Sequence, residues 1–141
     1  MDIPADDAAV ASVFERLYAG LRRITVREPL NLTAASTLAR LVREGPQRLS
    51  DLHRPEGVTQ PAMTQLITRL EREGLAARGS DPSDGRVVLV SVTDDGRAAV
   101  ERRRAGRAEA LSIVLQKLPA EDRVAIAAAL PALEHLNDLL P

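Results

Sequence analysis

Gly57-Val58-Thr59-Gln60-Pro61-Ala62-Met63-Thr64-Gln65-Leu66-Ile67-Thr68-Arg69-Leu70-Glu71-Arg72-Glu73-Gly74 is the stretch on which the fold turns. Thr59 has the side chain of a helix N-cap, and Pro61 is tolerated in a first turn, where its missing N–H would have no partner. Met63, Leu66, Ile67 and Leu70 recur at spacings of three and four, which puts them on one face of a helix that Glu73-Gly74 ends. Just upstream, Ser50 is expected to cap a very short helix, because Pro55-Glu56-Gly57 breaks the chain within two turns. Before that, Thr33 is the expected cap of a helix carrying Leu38, Leu41 and Val42 and stopping at Glu44-Gly45-Pro46. The pattern is helix, tight turn, helix.

Downstream the period changes. Leu75 to Gly79 and the β-branched run Val87-Val88-Leu89-Val90-Ser91-Val92 are expected to pair as a hairpin over 75–79 and 87–92, with a long tip at Asp81-Pro82-Ser83-Asp84-Gly85. A lone hairpin is marginal in water, so it must lie against the preceding helices. Thr93-Asp94-Asp95 is an N-cap with acidic first-turn residues, opening a long helix to about Lys117 whose last turn is basic. A sixth helix starts at Leu118-Pro119, and Pro131 predicts a kink or restart near Ala127 to Leu130. At the other end, Val10, Val13, Phe14, Leu17, Leu21 and Ile24 mark a first helix from Asp7 to about Arg27, ended by Pro29. The expectation is a mainly α fold of about six helices plus a two-stranded β-hairpin wing: a winged helix-turn-helix.

The chain has 141 residues, enough for one domain or for a protomer that completes its core with a copy of itself. Aromatic residues are 1% of it, so the several stacking rings of single-strand and RNA-binding sheets are missing, while duplex recognition stays open. There is no cysteine, which removes disulfides, thiolate catalysis, thiol redox sensing and cysteine zinc sites. Only His53 and His135 remain as nitrogen ligands, and no cofactor or metal is expected. No nucleophile stands near a base, and no glycine-rich phosphate loop follows a strand, so the chain does not read as an enzyme. The acidic start lacks the basic stretch and apolar run of a signal peptide, and Val124 to Leu133 is about half the length a membrane helix needs. A cytoplasmic protein with no membrane contact is expected.

From Gly57 to Thr68 no residue is charged. Thr59, Gln60, Thr64, Gln65 and Thr68 offer short uncharged donors and acceptors of the kind that read base edges: Gln pairs bidentately with adenine and Thr touches a thymine methyl. Arg69 and Arg72 follow, within reach of phosphate. A merely solvated helix face fits the residue types as well. At the hairpin tip, Asp84-Gly85-Arg86 lets a carboxylate brace a guanidinium, with Gly85 freeing the backbone to turn; a braced Arg suits a narrow A·T minor groove. An isolated surface ion pair has the same signature. Lys117 is the only lysine, a bias that a GC-rich genome explains as readily as phosphate binding.

In these stretches the sequence resembles the MarR (multiple antibiotic resistance regulator) family of bacterial winged-helix transcription factors. The match runs through Leu49-Ser50-Asp51-Leu52, Val58 to Leu75, Asp81-Pro82-Ser83-Asp84-Gly85-Arg86 and Val90-Ser91-Val92-Thr93-Asp94-Asp95-Gly96, in order and spacing. The resemblance implies a homodimer with dimerisation helices in 1–32 and 105–141 and a DNA-binding lobe in 33–104. It implies Arg86 in the minor groove and often a ligand pocket between the lobes, here for a small apolar or phenolic molecule. The expected function is a sequence-specific, ligand-responsive repressor on a pseudo-palindromic operator. The expected DNA-binding residues are Ser50, Thr59, Gln60, Pro61, Ala62, Thr64, Gln65, Thr68, Arg69, Asp84 and Arg86. The alternative is a winged-helix module that binds another protein.

Two features depart from the family pattern. His53 follows Leu52 where a small residue is usual, and Glu56 precedes Gly57 where an apolar one is usual; His53 reads as a boundary histidine. Charge gives no support by itself. Arg48, Arg54, Arg69, Arg72, Arg78 and Arg86 are matched by Asp51, Glu56, Glu71, Glu73, Asp81 and Asp84, and the whole chain carries −1. The positive excess comes later, where Arg97, Arg102, Arg103, Arg104 and Arg107 face only Glu101. Arg104 falls on the apolar register of its helix, so it is expected to pair with an acid between lobes or subunits.

Overall fold

The computed structural model describes residues 5–24 and 30–140. Its described residues form α1 (Ala5–Leu21), α2 (Leu32–Glu44), β1 (Gln47–Arg48), α3 (Leu49–Leu52), α4 (Gln60–Arg72), β2 (Ala76–Asp81), β3 (Asp84–Val92), α5 (Asp94–Leu115), α6 (Ala120–Ala128) and α7 (Leu130–Leu139). The chain divides into two compact units, 27–105 and a second made of 1–26 with 106–141.

In the first unit, α2, α3 and α4 enclose a core of Leu38, Leu41, Leu52, Met63, Ile67, Leu70 and Val90, each at most 1% exposed. Among the described residues Thr37 is the one polar residue buried with them, and its hydroxyl is satisfied by donating to Thr33 O at 2.8 Å. The helix boundaries follow local chemistry. Asn31, not Thr33, caps α2: its side-chain oxygen accepts from Ala34 N at 2.8 Å, and Thr33 lies inside the first turn. Ser50 does not cap α3 either. That helix begins at Leu49 with Arg48 as an N-cap that makes no side-chain bond, because the chain enters directly from β1 and the sheet register sets the start. Thr59 does cap α4, accepting from Ala62 N at 3.3 Å. Gly57 and Gly74 hold φ of +64° and +75°, left-handed conformations that only glycine adopts cheaply, and so turn the chain into and out of α4.

The sheet has three antiparallel strands in the order β1-β3-β2, one more than expected. β1 is only Gln47–Arg48, paired with Val90 and Leu89, and two residues give no alternation to detect. The wing tip is also tighter than the sequence implies. Asp81 and Asp84 are direct partners, so Pro82-Ser83 alone make the turn, and Gly85 lies inside β3 without a positive φ. Asp81 Oδ1 takes the Ser83 N–H at 2.9 Å and the Ser83 hydroxyl at 2.7 Å, which closes the turn without help from Gly85.

The second unit contains α1, the later part of α5, α6 and α7. α1 ends at Leu21, short of Arg27; Arg23 N and Ile24 N then bond three residues back to Gly20 O and Leu21 O, and the expected stop at Pro29 lies outside the described residues. α5 ends at Leu115, so Lys117 falls beyond it and its last turn carries no basic residue. The break expected from Pro131 occurs at Ala129, between α6 and α7. Leu17 (53%), Tyr18 (61%), Val124 (69%) and Leu139 (82%) of this unit are exposed.

The start of α5 is pinned to the base of the wing. Thr93 accepts from Gly96 N at 3.0 Å and its hydroxyl donates to Gly74 O at 2.6 Å, while Thr93 N donates to Leu75 O at 3.2 Å. A Cβ at position 96 would stand 2.1 Å from Leu75 O and 2.7 Å from Val92 Cγ2, so no side chain fits there. Gly96→Ala should therefore destabilise the protein by about 3 kcal/mol, the upper range for overpacking against backbone. Urea denaturation of the variant against the parent chain measures it.

Candidate nucleic-acid interface

Met63, Ile67 and Leu70 anchor α4 in the core, which turns Gln60, Pro61, Ala62, Gln65, Thr68, Arg69 and Arg72 to the exterior. Thr64 is half-buried at the edge of that face. Ser50 is exposed on α3 and Thr59 at the start of α4. The uncharged surface expected from the sequence is therefore present, but its hydrogen-bonding groups are unequal. Thr64 Oγ1 donates to Gln60 O at 3.0 Å and Thr68 Oγ1 to Thr64 O at 2.9 Å, each back to its own helix. The amides of Gln60 and Gln65 carry no such local bond. Arg69 Nε lies 3.7 Å from Glu73 Oε1, one turn on, both half-exposed.

Arg78, on β2, was not singled out by sequence reasoning. Its guanidinium reaches back to α4, pairing with Glu71 and donating to Thr68 Oγ1 at 2.9 Å. The signal was available: Arg78 is two residues from the buried Ala76 and shares its face of the strand, so it needed an acceptor on the helix beneath.

At the wing, Asp84 Oδ1 accepts from the Arg86 backbone N–H at 3.1 Å and from Arg86 Nε at 3.2 Å. The Arg86 side chain is 92% exposed, so the carboxylate holds its base while the guanidinium projects. The backbone bond first, and the guanidinium second, keep the Asp84 carboxyl below the ordinary aspartate range. Asp81 is lowered likewise, chiefly by the Ser83 hydroxyl and then by its N–H.

Arg104 is not placed as expected. Its side chain is 75% exposed and its partner is Glu101 on the same helix at 3.5 Å. The buried face of α5 runs Gly96, Ala99, Val100, and the next position on it is Arg103, half-buried and 3.4 Å from Leu30 O. The buried stripe set by Gly96, Ala99 and Val100 leads to Arg103 and passes Arg104 by. His53 is half-buried with Nδ1 3.3 Å from Val58 O, across the α3–α4 turn. Glu56 is half-buried with only 8% of its side chain exposed, accepting from Ser36 Oγ at 3.0 Å with Arg40 Nε at 3.7 Å; its polarity is satisfied on α2 where an apolar residue was the family expectation.

Grooves accompany these elements. One of about 430 Å³ lies between the start of α2 and α4, against Asn31, Thr33, Ala62, Gln65 and Arg69. Another of about 310 Å³ lies in the helical unit, lined by Tyr18, Leu21, Arg22, Ile24, Arg107, Ala108 and Leu111. Among the described residues no three His, Cys, Asp or Glu side chains gather, and no helix is long and apolar enough to cross a membrane.

Helix, turn, helix and a strand pair ending in a projecting arginine define a winged helix-turn-helix protein. The MarR family sequence model matches residues 30–88. HTH-type transcriptional regulator MT0903.1 of Mycobacterium tuberculosis (strain CDC 1551 / Oshkosh) is 34% identical over 137 residues, covering 97% of this chain and 94% of that protein. The transcriptional regulator Tm0710 of Thermotoga maritima shares the fold with a TM-score of 0.74 at 22% identity, over 94% of this chain and 93% of that one. BpsR of Bordetella bronchiseptica, whose DNA binding is regulated by 6-hydroxynicotinic acid, has a TM-score of 0.55 at 28% identity, over 89% of this chain and 98% of that one. The chain belongs to the MarR family and is a DNA-binding transcriptional regulator.

The wing bonds give a pH dependence whose sign is fixed. Asp84 has a lowered folded pKa, so its bonds are in place above the ordinary aspartate value and are lost as pH falls through the lowered one. Carboxyl-carbon NMR titration should give Asp84 a midpoint below that of an exposed aspartate. Arg86→Ala should raise the midpoint only part-way, because the backbone N–H at 86 still donates.

Proposed function

We propose that two copies of this chain bind a pseudo-palindromic operator as a homodimer, each inserting α4 into the major groove and Arg86 into the adjacent minor groove. The observation that carries this reading is the juxtaposition on one unit of an uncharged exposed α4 face with an almost fully exposed, carboxylate-braced Arg86. Gln60 and Gln65 read base edges, Thr68 makes apolar contact, and Arg69 and Arg72 bind phosphate. Thr59, Pro61 and Ala62, at the helix start, come closest to the backbone there, with Ser50 contributing from α3; Thr64 supports the row from its edge. Asp84 orients Arg86. The half-sites lie about one helical turn, roughly 10 base pairs, apart.

Homodimerisation is supported by the apolar side chains left exposed on α1, α6 and α7, more than a stable monomer keeps in water. Bound over a promoter, such a dimer excludes other proteins from the same DNA, which makes repression the simplest outcome. The groove beside Tyr18, Arg22 and Arg107 is the candidate effector site. It combines apolar walls with two cations, which suits a small apolar or phenolic molecule, above all one carrying an acid group. The ring acid that regulates BpsR supports the same class. An effector releases DNA only if it binds the DNA-free form more tightly.

The test is to sequence genomic fragments retained by the purified protein and then to measure affinity for the recovered duplex. A two-fold symmetric footprint is expected, and an asymmetric one counts against the dimeric reading. Arg86→Ala should weaken binding across sequences and lower the salt slope by about one per protomer. Gln60→Ala and Gln65→Ala should cost about 1–3 kcal/mol, each at particular base pairs only. Sedimentation at micromolar concentration should give twice the chain mass, and Leu17→Glu should shift it toward the monomer.

A further inference from the structure

The contact between Arg78 and α4 bears on how the helix discriminates bases. The side chain of Arg78 is 28% exposed, and its two terminal nitrogens are divided between tasks. Nη1 pairs with Glu71 Oε2, while Nη2 donates to Thr68 Oγ1 at 2.9 Å and lies 3.4 Å from Thr64 O. Glu71 offsets the charge, so Arg78 adds little to phosphate attraction. Its effect falls on Thr68. A threonine hydroxyl has one proton and two lone pairs. The proton of Thr68 goes to Thr64 O at 2.9 Å and one lone pair to Arg78. Thr68 is nevertheless exposed. With its proton and one lone pair engaged inside the protein, the hydroxyl has no hydrogen left to donate to a ligand, and the γ-methyl is the larger group it presents.

We propose that Arg78 is a positioning residue for base discrimination: by fastening the Thr68 hydroxyl to the wing strand, it makes Thr68 a methyl reader, which recognises thymine by its 5-methyl group and donates no hydrogen bond to a base. This rests on α4 being the DNA-reading helix. The same bond makes β2 and α4 one body, so the helix face and the wing meet DNA at a fixed separation.

The probe is the tightest-binding genomic duplex recovered by the purified full-length protein, with its thymines replaced one at a time by deoxyuridine, a change that removes the 5-methyl alone. The parent protein should lose roughly fourfold in affinity at one thymine per half-site, the effect of one buried methyl group. Thr68→Val has no hydroxyl to turn toward the base and so needs no fastening; it should bind the parent duplex within about twofold and keep that loss, and Thr68→Ser should abolish it. Arg78→Lys keeps the charge but cannot make the forked contact; it should abolish the deoxyuridine effect while leaving the salt slope of binding unchanged, a pattern that general destabilisation does not produce.

The inference is overturned if Thr68→Val weakens binding at an adenine or cytosine, since the hydroxyl would then be the reader. It is also overturned if Thr68→Ser keeps the deoxyuridine effect, or if Arg78→Lys keeps that effect or changes the salt slope. Gln60→Ala and Gln65→Ala separate the two levels. If they alter base preference while the Thr68 variants do not, only the methyl reading falls; if they too leave every duplex equally bound, α4 is not the reading helix and both readings fall.

Discussion

The geometry of the DNA-facing surface depends on one joint, where the start of α5 packs without a side chain against the peptide that leads from α4 into the wing. Gly96 makes the approach possible, and Thr93 closes it by bonding to Gly74 O and to Gly96 N. Four elements meet there: the end of α4, the start of β2, the end of β3 and the start of α5. A hairpin is weakly stable alone, and here both its strands are tied at the base to the helix whose exposed face they flank. Thr93 and Arg78 thus hold α4 from two directions, one at its last turn and one along its side. The spacing between helix face and wing tip is set by these contacts before any ligand arrives.

The same unit shows how a protein without net positive charge presents cations. Glu71, Glu73, Asp81 and Asp84 are each engaged with an arginine: Arg78, Arg69, Arg48 and Arg86 in turn. Pairing has different consequences at each place. On Arg78 it neutralises a half-buried group whose use is structural. On Arg86 the carboxylate grips the Nε edge and leaves the rest of the guanidinium in solvent, so the charge is aimed more than it is cancelled. Counting charges misses this difference, because the count treats a bracing acid and a quenching acid alike.

Much of the reading unit was legible in the sequence because it is written in local chemistry. The α4 cap, the proline in its first turn, its apolar spacing and the glycine after it each have a short-range cause, as does the Thr93 cap of α5. What the sequence hid was decided by contacts between distant residues. β1 is a strand only because β3 lies beside it. Asn31 took the α2 cap from Thr33, two residues away with similar chemistry, and the sheet set the start of α3 ahead of Ser50. Gly85 looked like the pivot of the wing because Asp-Gly is a common turn pair, yet the Asp81–Ser83 bonds close the turn first. Arg103, not Arg104, lies on the buried side of α5, because one step of register on a helix is about 100° of rotation, a small error in sequence and a large one in space. In the site itself, residue types announced the polar face, but only coordinates show that its threonine hydroxyls are already committed to their own helix.

Every basic group on α4 and on the wing is a guanidinium: Arg69, Arg72, Arg78 and Arg86. Guanidinium is planar and offers several N–H donors in a fixed fork that matches the two oxygens of a carboxylate or phosphate. It also lacks the primary amine that acyl donors modify, and acetylation, a frequent means of silencing basic surfaces, finds no lysine on either element. The positive charge of this surface is therefore outside the reach of lysine acylation.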